Sequence, residues 1–255
     1  METLFPLLTL SELMLAFMIA LFAGFVKGVV GFAMPLVFVS GLTSFMSPEL
    51  ALAGLILPTL VTNVQQALRQ GVQAAVRSTA DFKVFLLVGC VALVASAQLV
   101  RVFPEQVMLL IIGVPVTFFA LLQLSGFRVS LPRRSAGVEV VAGTIAGGLG
   151  GVSGIWGPPT VVYLTALNTP KQDQMRVQGV IYGLGAVALM GAHIGSGVLR
   201  AETVGFSLAM VVPAFIGVRI GLLVMNRIDQ IIFRRATLFV LLIAGLNLMR
   251  RAWFG

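Results

Sequence analysis

Long apolar runs separated by short polar connectors fill almost the whole chain. A helix that crosses a membrane needs about 20 mostly apolar residues, and most of these runs reach that length. The pattern predicts eight helical segments, at residues 11–46, 48–68, 82–100, 105–126, 137–168, 175–198, 203–225 and 231–250. Because the segments use nearly every residue, no room is left for a soluble domain.

Composition agrees with this pattern. Of the 255 residues, 58% are apolar and only 10% are charged, and the mean hydropathy is +1.05. Soluble domains contain about 45–50% apolar and about 25% charged residues. The chain has too few polar side chains to cover a water-facing surface, so we predict an all-α polytopic membrane protein.

The net charge of +8 does not indicate a nucleic-acid partner. The basic residues are spread over short connectors beside the apolar segments, as at Arg128, Arg133 and Arg134, where they act as topology signals. The sequence contains no metal-ligand cluster, phosphate-binding loop or nucleotide motif. We therefore expect no cofactor and no metal.

Two of the apolar segments, 1 and 5, are long and interrupted by glycine and proline. A constant shift of 123 residues relates them and aligns five identical positions: Gly24 with Gly147, Gly28 with Gly151, Val29 with Val152, Gly31 with Gly154, and Pro35 with Pro158. A Ser-Pro or Thr-Pro pair follows each element, at 47–48 and 169–170. The sequence therefore predicts two repeats, residues 1–127 and 128–255, within one membrane domain.

Broken helices at equivalent places in two halves are typical of a transporter's substrate site. Backbone groups freed at membrane depth persist only inside protein or along a wet cavity. The alternative is that these glycines serve only close helix packing. Pro35 and Pro158 favour a true interruption, because packing does not require a residue that lacks a backbone donor.

The connector charges favour segments 1 and 5 as hairpins that enter and leave on one side. Eleven basic residues then share one side and four the other: Arg69, Arg77, Lys83, Arg128, Arg133, Arg134, Lys171, Arg176, Arg227, Arg234 and Arg235 against Arg101, Arg200, Arg250 and Arg251. This asymmetry is what the positive-inside rule expects. Each half then has three full crossings, so the halves are predicted to be inverted, with broken or re-entrant segments 1 and 5.

Lys27 is the residue that says most about function. It lies at the first glycine-rich break, inside an apolar run where a charge is costly and functional by default. A cation beside loose helix N-termini suits an anion. The alternatives are a lysine that reaches the membrane interface or one paired with a buried carboxylate, although no Asp or Glu lies within a clear span.

The predicted substrate-binding residues come from the two breaks and from polar positions in segments 2 and 6. They are Lys27, Gly28, Gly31, Phe32, Pro35, Asn63, Gln66, Gly151, Ser153, Gly154, Trp156, Gly157, Pro158 and Tyr182. The substrate would lie near the bilayer midplane, between the two broken tips. His193 is a candidate for coupling to protons, although a lone histidine is more often structural.

A hypothesis of a different class starts from Gly151-Val152-Ser153-Gly154, a G-x-S-G sequence, with His193 in the next segment. This arrangement resembles the serine–histidine dyad of intramembrane proteases, with Ser153 as the nucleophile. Against it, Ser153 aligns with Val30 in the repeat, so the glycine frame also occurs without the nucleophile. We therefore expect a transporter and not an enzyme.

The segment pattern and these motifs resemble the TauE/SafE family, bacterial membrane permeases for sulfite and organosulfonate anions. The resemblance rests on residues 24–35 and 147–159, and on the sequence 217–221 followed by Phe233-Arg234-Arg235. It implies a secondary transporter in the bacterial cell inner membrane that carries sulfite or an organosulfonate such as sulfoacetate, isethionate or a taurine-derived sulfonate. A passive anion channel is the alternative. H⁺ and Na⁺ are both compatible as the coupling ion, and a homodimer is compatible with the sequence.

Overall fold

The fold consists of helices joined by short connections. The computed structural model describes residues 8–42, 44–97, 104–127, 130–131, 133–153, 157–195 and 199–254. The helices are α1 Leu10–Val30, α2 Met34–Leu42, α3 Pro48–Leu68, α4 Val72–Asp81, α5 Lys83–Ala97, α6 Glu105–Leu124, α7 Ala136–Ser153, α8 Gly157–Ala166, α9 Lys171–Gly195, α10 Ala201–Arg227 and α11 Gln230–Phe254.

Several of these helices can cross a membrane. Among the described residues, four helices are long and apolar enough, namely Leu10–Val30, Leu50–Leu68, Ala201–Arg227 and Gln230–Phe254. The pair α4 and α5, bent by 72°, adds a fifth if both belong to one span. The protein is therefore a multi-pass helical membrane protein, while the count of eight spans stays a prediction.

The surface of α1 shows how such a helix meets lipid. Met14, Met18 and Phe22 follow one another at intervals of one turn and are 61%, 61% and 56% exposed. Ala16 and Ala20 on the other side of the helix are fully buried. A continuous apolar stripe of this kind is unusual in water and suits a bilayer, where no polar surface is needed.

The ends of the helices follow their sequence signals. Thr9 caps α1 and forms a capping box with Glu12, whose side chain accepts a hydrogen bond from the Thr9 backbone N–H. Ser47 caps α3, and Pro48 occupies its first turn, where a missing N–H costs nothing. Helix α4 was not predicted: the connector after Arg69 folds into a short amphipathic helix.

The helices belong to two units. The first unit contains Met1–Val72 and Met175–Asp229, and the second contains Gln73–Gln174 and Gln230–Gly255. In the first unit, helices α1, α2, α3 and α10 enclose a core in which alanines of α1 pack against mostly larger residues of the other three helices. This core is formed by Ala16, Ala20, Ala23, Met34, Phe38, Leu42, Ala51, Leu55, Phe206, Met210 and Ala214.

Four glycines bring the backbones of α1 and α10 together in the first unit. A Cβ atom on Gly24 would lie 2.1 Å from the backbone oxygen of Ala214, and one on Gly217 would lie 2.0 Å from that of Leu21. Gly28 and Gly221 leave equally little room. Gly24 and Gly28 therefore allow close helix packing in this structure, which was the alternative to a broken helix.

In the second unit, glycines likewise allow close packing of α5 and α7. A Cβ atom on Gly147 would lie 2.0 Å from the backbone oxygen of Gly89, and one on Gly143 would lie 2.7 Å from that of Phe85. The ring of Phe85 stacks on Tyr163 of α8, with ring centres 5.5 Å apart. Helices α6 and α11 also pack closely in this unit, at Gly113 and Gly245.

Candidate functional site

Lys27 lies in the last turn of α1 and is only 2% exposed. Its ammonium group donates one hydrogen bond to Thr62 Oγ1, at 2.9 Å, and another to Asn63 Oδ1. Both partners are neutral. Among the described residues, no ion pair is found for Lys27, in contrast to Arg134, which pairs with Glu139, and Arg200, which pairs with Glu202. The first unit therefore holds a buried cation that lacks a counter-charge.

The two partners of Lys27 are themselves held in place on α3. Thr62 Oγ1 donates to the backbone oxygen of Pro58 at 2.7 Å, which leaves its lone pairs directed to the ammonium. Asn63 Nδ2 donates to the backbone oxygen of Tyr182 in α9 at 3.0 Å. The amide of Asn63 is thereby oriented with its oxygen towards Lys27, which makes a fixed dipole for the charge.

Helix α1 ends three residues after Lys27, at a break between Val30 and Met34. Gly31 has a φ of +89°, and its N–H donates to Lys27 O at 2.7 Å, which closes the helix. Ala33 has a φ of +70°, a region that non-glycine residues seldom occupy. Strained backbone of this kind is concentrated at functional sites.

A glutamine of α3 connects the break to α9 by hydrogen bonds. Gln66 Nε2 donates to Gly31 O at 3.1 Å and to Met175 O at 2.8 Å. Within the described structure, the backbone N–H groups of Phe32 and Met34 find no acceptor. Free amides at the start of a helix attract anions, and these follow Lys27 in the sequence by five and seven residues.

The structure thus brings together five of the predicted residues in the first unit: Lys27, Gly31, Asn63, Gln66 and Tyr182. Tyr182 contributes its backbone oxygen to the network. Gly28 lies on the same helix, but its Cα faces Val218 and Gly221 of α10. Phe32 is buried within the break, whereas Pro35 at the start of α2 is exposed.

The second predicted break is described only in part. Helix α7 ends at Ser153 and α8 begins at Gly157, with a buried Pro158. Gly154 and Trp156 lie outside the described residues, and no side-chain environment is described for Gly151, Ser153 or His193. The expected roles of these residues stay predictions.

The sequence did not lead us to predict Thr62, which accepts a hydrogen bond from Lys27 as Asn63 does. The signal was present, because Thr62, Asn63 and Gln66 recur at helical spacing along one side of an otherwise apolar segment. A buried carboxylate does occur in the second unit: Glu139, in the first turn of α7, is 4% exposed. Its carboxylate pairs with Arg134 at 2.9 Å and accepts from the Phe85 N–H at 3.3 Å.

Comparison with known proteins identifies the family. Residues 16–248 match the family model described as Sulfite exporter TauE/SafE, which is nearly the entire chain. No curated protein and no solved structure matches the chain significantly. This is a family of transporters and not of enzymes, which removes the protease hypothesis built on Ser153 and His193. The protein therefore belongs to the TauE/SafE family, membrane transporters of sulfite and related sulfur anions.

Proposed function

We propose that the protein is a secondary transporter that moves a small sulfur oxyanion, sulfite or an organosulfonate, across the bacterial inner membrane by alternating access. Lys27 is the residue that binds the charge of the substrate. The observation that carries this proposal is the burial of Lys27 among neutral partners, in a member of a family that transports anions.

The energetics of a buried ammonium support this role. Removing such a group from water costs several kcal/mol even after the protein relaxes. Hydrogen bonds to neutral dipoles offset part of that cost, and each bond to a charged group contributes about 1.5–3 kcal/mol. Lys27 has two such bonds among the described residues. An anionic substrate would supply the missing counter-charge, so binding would be favourable in spite of desolvation.

The break supplies a second attractive element. The positive end of a helix dipole is equivalent to roughly half an elementary charge. Helix α2 begins at Met34, seven residues after Lys27; Pro35 has no N–H, and the N–H groups of Met34 and Leu36 in the first turn lack helical partners. The oxygens of a sulfonate or sulfite could accept from these amides while its charge is paired with Lys27.

The order of the helices supports the proposed two-fold repeat. Shifted by 123 residues, α1, α2 and α3 fall on 133–153, 157–165 and 171–191, close to the observed α7 Ala136–Ser153, α8 Gly157–Ala166 and α9 Lys171–Gly195. We propose that the two repeats, 1–127 and 128–255, are inverted. Inverted repeats with broken helices are the usual basis of alternating access.

Counterflow in proteoliposomes tests this function. Vesicles loaded with unlabelled isethionate or sulfite should accelerate the uptake of the labelled anion, and the rate should saturate. The binding site of an alternating-access carrier returns across the membrane faster with substrate bound than empty, so substrate inside the vesicle accelerates uptake. A passive channel shows no such acceleration. We expect saturable counterflow in the wild type and in the control Lys83→Met, which changes an exposed lysine. We expect it to be lost in Lys27→Met. Linear uptake with no acceleration would favour the channel.

A further inference from the structure

Gln178 of α9 is fully buried, and neither atom of its side-chain amide has a hydrogen-bond partner among the described residues. A buried amide without partners is costly, and most buried polar groups in proteins are paired. An unpaired group of this kind in a native structure points to a partner that binds there.

The position of Gln178 connects it with the break. A Cβ atom on Gly31 would lie 1.7 Å from Gln178 Oε1 and 2.8 Å from the sulfur of Met175. Glycine is therefore required at position 31 for two reasons: the backbone has a positive φ, and the amide of Gln178 leaves no room for a Cβ atom. Because the N–H of Gly31 bonds to Lys27 O, the amide of Gln178 lies about one helical turn from the residue that bears the ammonium.

Helix α9 is anchored on both sides of Gln178. One turn earlier, Met175 O accepts from Gln66, and one turn later, Tyr182 O accepts from Asn63. Between these anchors, Gly179 lies against α3, where a Cβ atom would be 2.4 Å from the backbone nitrogen of Ala67. The backbone that carries Gln178 is thus fixed before any ligand arrives, as a preorganised binding residue requires.

We propose that Gln178 is a further substrate-binding residue, whose amide nitrogen donates to an oxyanion oxygen and whose amide oxygen accepts from a donor group on the same substrate. This inference rests on the proposed function, because it assumes that the anion binds beside Lys27. It narrows the substrate class to sulfur oxyanions that also carry a hydroxyl or amine, since only these satisfy both atoms of the amide.

The charge of the site narrows the class further. Lys27 is the one cation that is buried among the described residues of the first unit. A singly charged anion neutralises it, whereas a dianion would bring an uncompensated charge into a region of low polarity. The site therefore favours a monoanionic sulfonate with a hydrogen-bond donor over sulfate.

The test compares three anions on the purified full-length protein by thermal stabilisation: isethionate, a monoanion with a hydroxyl; methanesulfonate, a monoanion without one; and sulfate. The wild type should bind isethionate about tenfold more tightly than methanesulfonate, the value of one well-placed hydrogen bond. It should bind sulfate least. In Gln178→Met, the two sulfonates should become equal, with isethionate weakened about tenfold or more.

A purely structural role for Gln178 predicts a different result. Replacing an unpartnered amide by an apolar side chain of similar size should not lower the melting temperature of the ligand-free protein, whereas loss of a structural residue would. Gln65→Met is the matched control, because the amide of Gln65 is also unpartnered but takes no part in the hydrogen bonds among Lys27, the break and α9. It should leave the preference between the sulfonates unchanged. If Gln178→Met does not fold, Gln178→Glu takes its place, and its carboxylate should abolish sulfonate binding.

The outcomes separate this inference from the proposed function. If the wild type binds sulfonates through Lys27 and Gln178→Met keeps the wild-type preference, this inference is overturned and the proposed function stands. An equal loss in Gln65→Met, or a wild type that does not distinguish the two sulfonates, also overturns it. If no sulfur oxyanion stabilises the wild type, both proposals fail.

Discussion

The ammonium of Lys27 donates a hydrogen bond to the side-chain oxygen of Asn63, so that a charge on α1 is held by an amide on α3. The same amide donates through its nitrogen to Tyr182 O on α9, at 3.0 Å. One asparagine thus connects three helices of the first unit around a single buried charge. The arrangement fixes the position of the ammonium without neutralising it, and this is what an anion-binding site requires.

Asn63→Leu should destabilise the protein strongly. The change leaves Lys27 with one of its two partners and removes the hydrogen bond from Asn63 Nδ2 to Tyr182 O. Losing one hydrogen bond to a charged group and a second bond between neutral groups should together cost about 2–4 kcal/mol of unfolding free energy. The melting temperature of the purified protein measures this loss. The control Asn247→Leu, which removes a bond to Arg250 at the surface, should change stability by no more than about 0.5 kcal/mol. Similar effects of the two substitutions would show that the Lys27 network does not stabilise the fold.

Gly217→Ala should disrupt the packing of α1 on α10. The added methyl group would lie 2.0 Å from Leu21 O, a backbone atom that cannot move aside as the end of a side chain can. The helices must separate, at a cost of about 1–3 kcal/mol or more. Gly205→Ala on the same helix is the control, because nothing lies within 4 Å of the new methyl group. Alanine favours a helix over glycine by about 1 kcal/mol, so this control should hold or raise the melting temperature. A Gly217→Ala protein as stable as wild type would contradict the close approach.

Glu139→Gln tests the ion pair of the second unit. Glu139 is buried and bonds to Arg134 and to the Phe85 N–H, so loss of its charge should cost about 1–3 kcal/mol. Glu202→Gln removes the exposed pair between Arg200 and Glu202, and a pair of that kind contributes about 0–1 kcal/mol. Melting temperatures of the two variants should therefore differ clearly, with Glu139→Gln the lower. The reverse order would mean that the Glu139 pair does not hold α7 in place.

The break in segment 1 could be predicted because glycine and proline weaken a helix wherever they occur. The sequence placed it between Gly24 and Pro35, and the structure narrows it to residues 31–33. Gly24 and Gly28 lie in regular helix, because a glycine that admits a neighbouring backbone has the same sequence signature as one that ends a helix. The two kinds of glycine differ only in whether another helix packs against them. For Gly24 and Gly28 that helix is α10, whose Gly217 and Gly221 are about 190 residues away in the chain.

The polar partners of Lys27 were predictable only in part. Asn63 and Gln66 stand out in an apolar segment, whereas Gln178 follows a polar stretch at the start of α9 and gives no such contrast. Its significance depends on the approach of Gly31, a contact between residues distant in sequence that periodicity cannot supply. Helix α4 was missed for a related reason, because the polar residues typical of a connector also form the wet side of an amphipathic helix.

The most direct test of the central claim, that Lys27 binds the substrate anion, is thermal stabilisation by sulfite and isethionate in wild type, Lys27→Met and Lys83→Met. A ligand present at 100 times its Kd stabilises the native state by about 2.7 kcal/mol, which should raise the melting temperature by several degrees. Wild type and Lys83→Met should show this rise, and Lys27→Met should be folded but show none. A folded Lys27→Met protein that these anions stabilise as much as wild type would contradict the account.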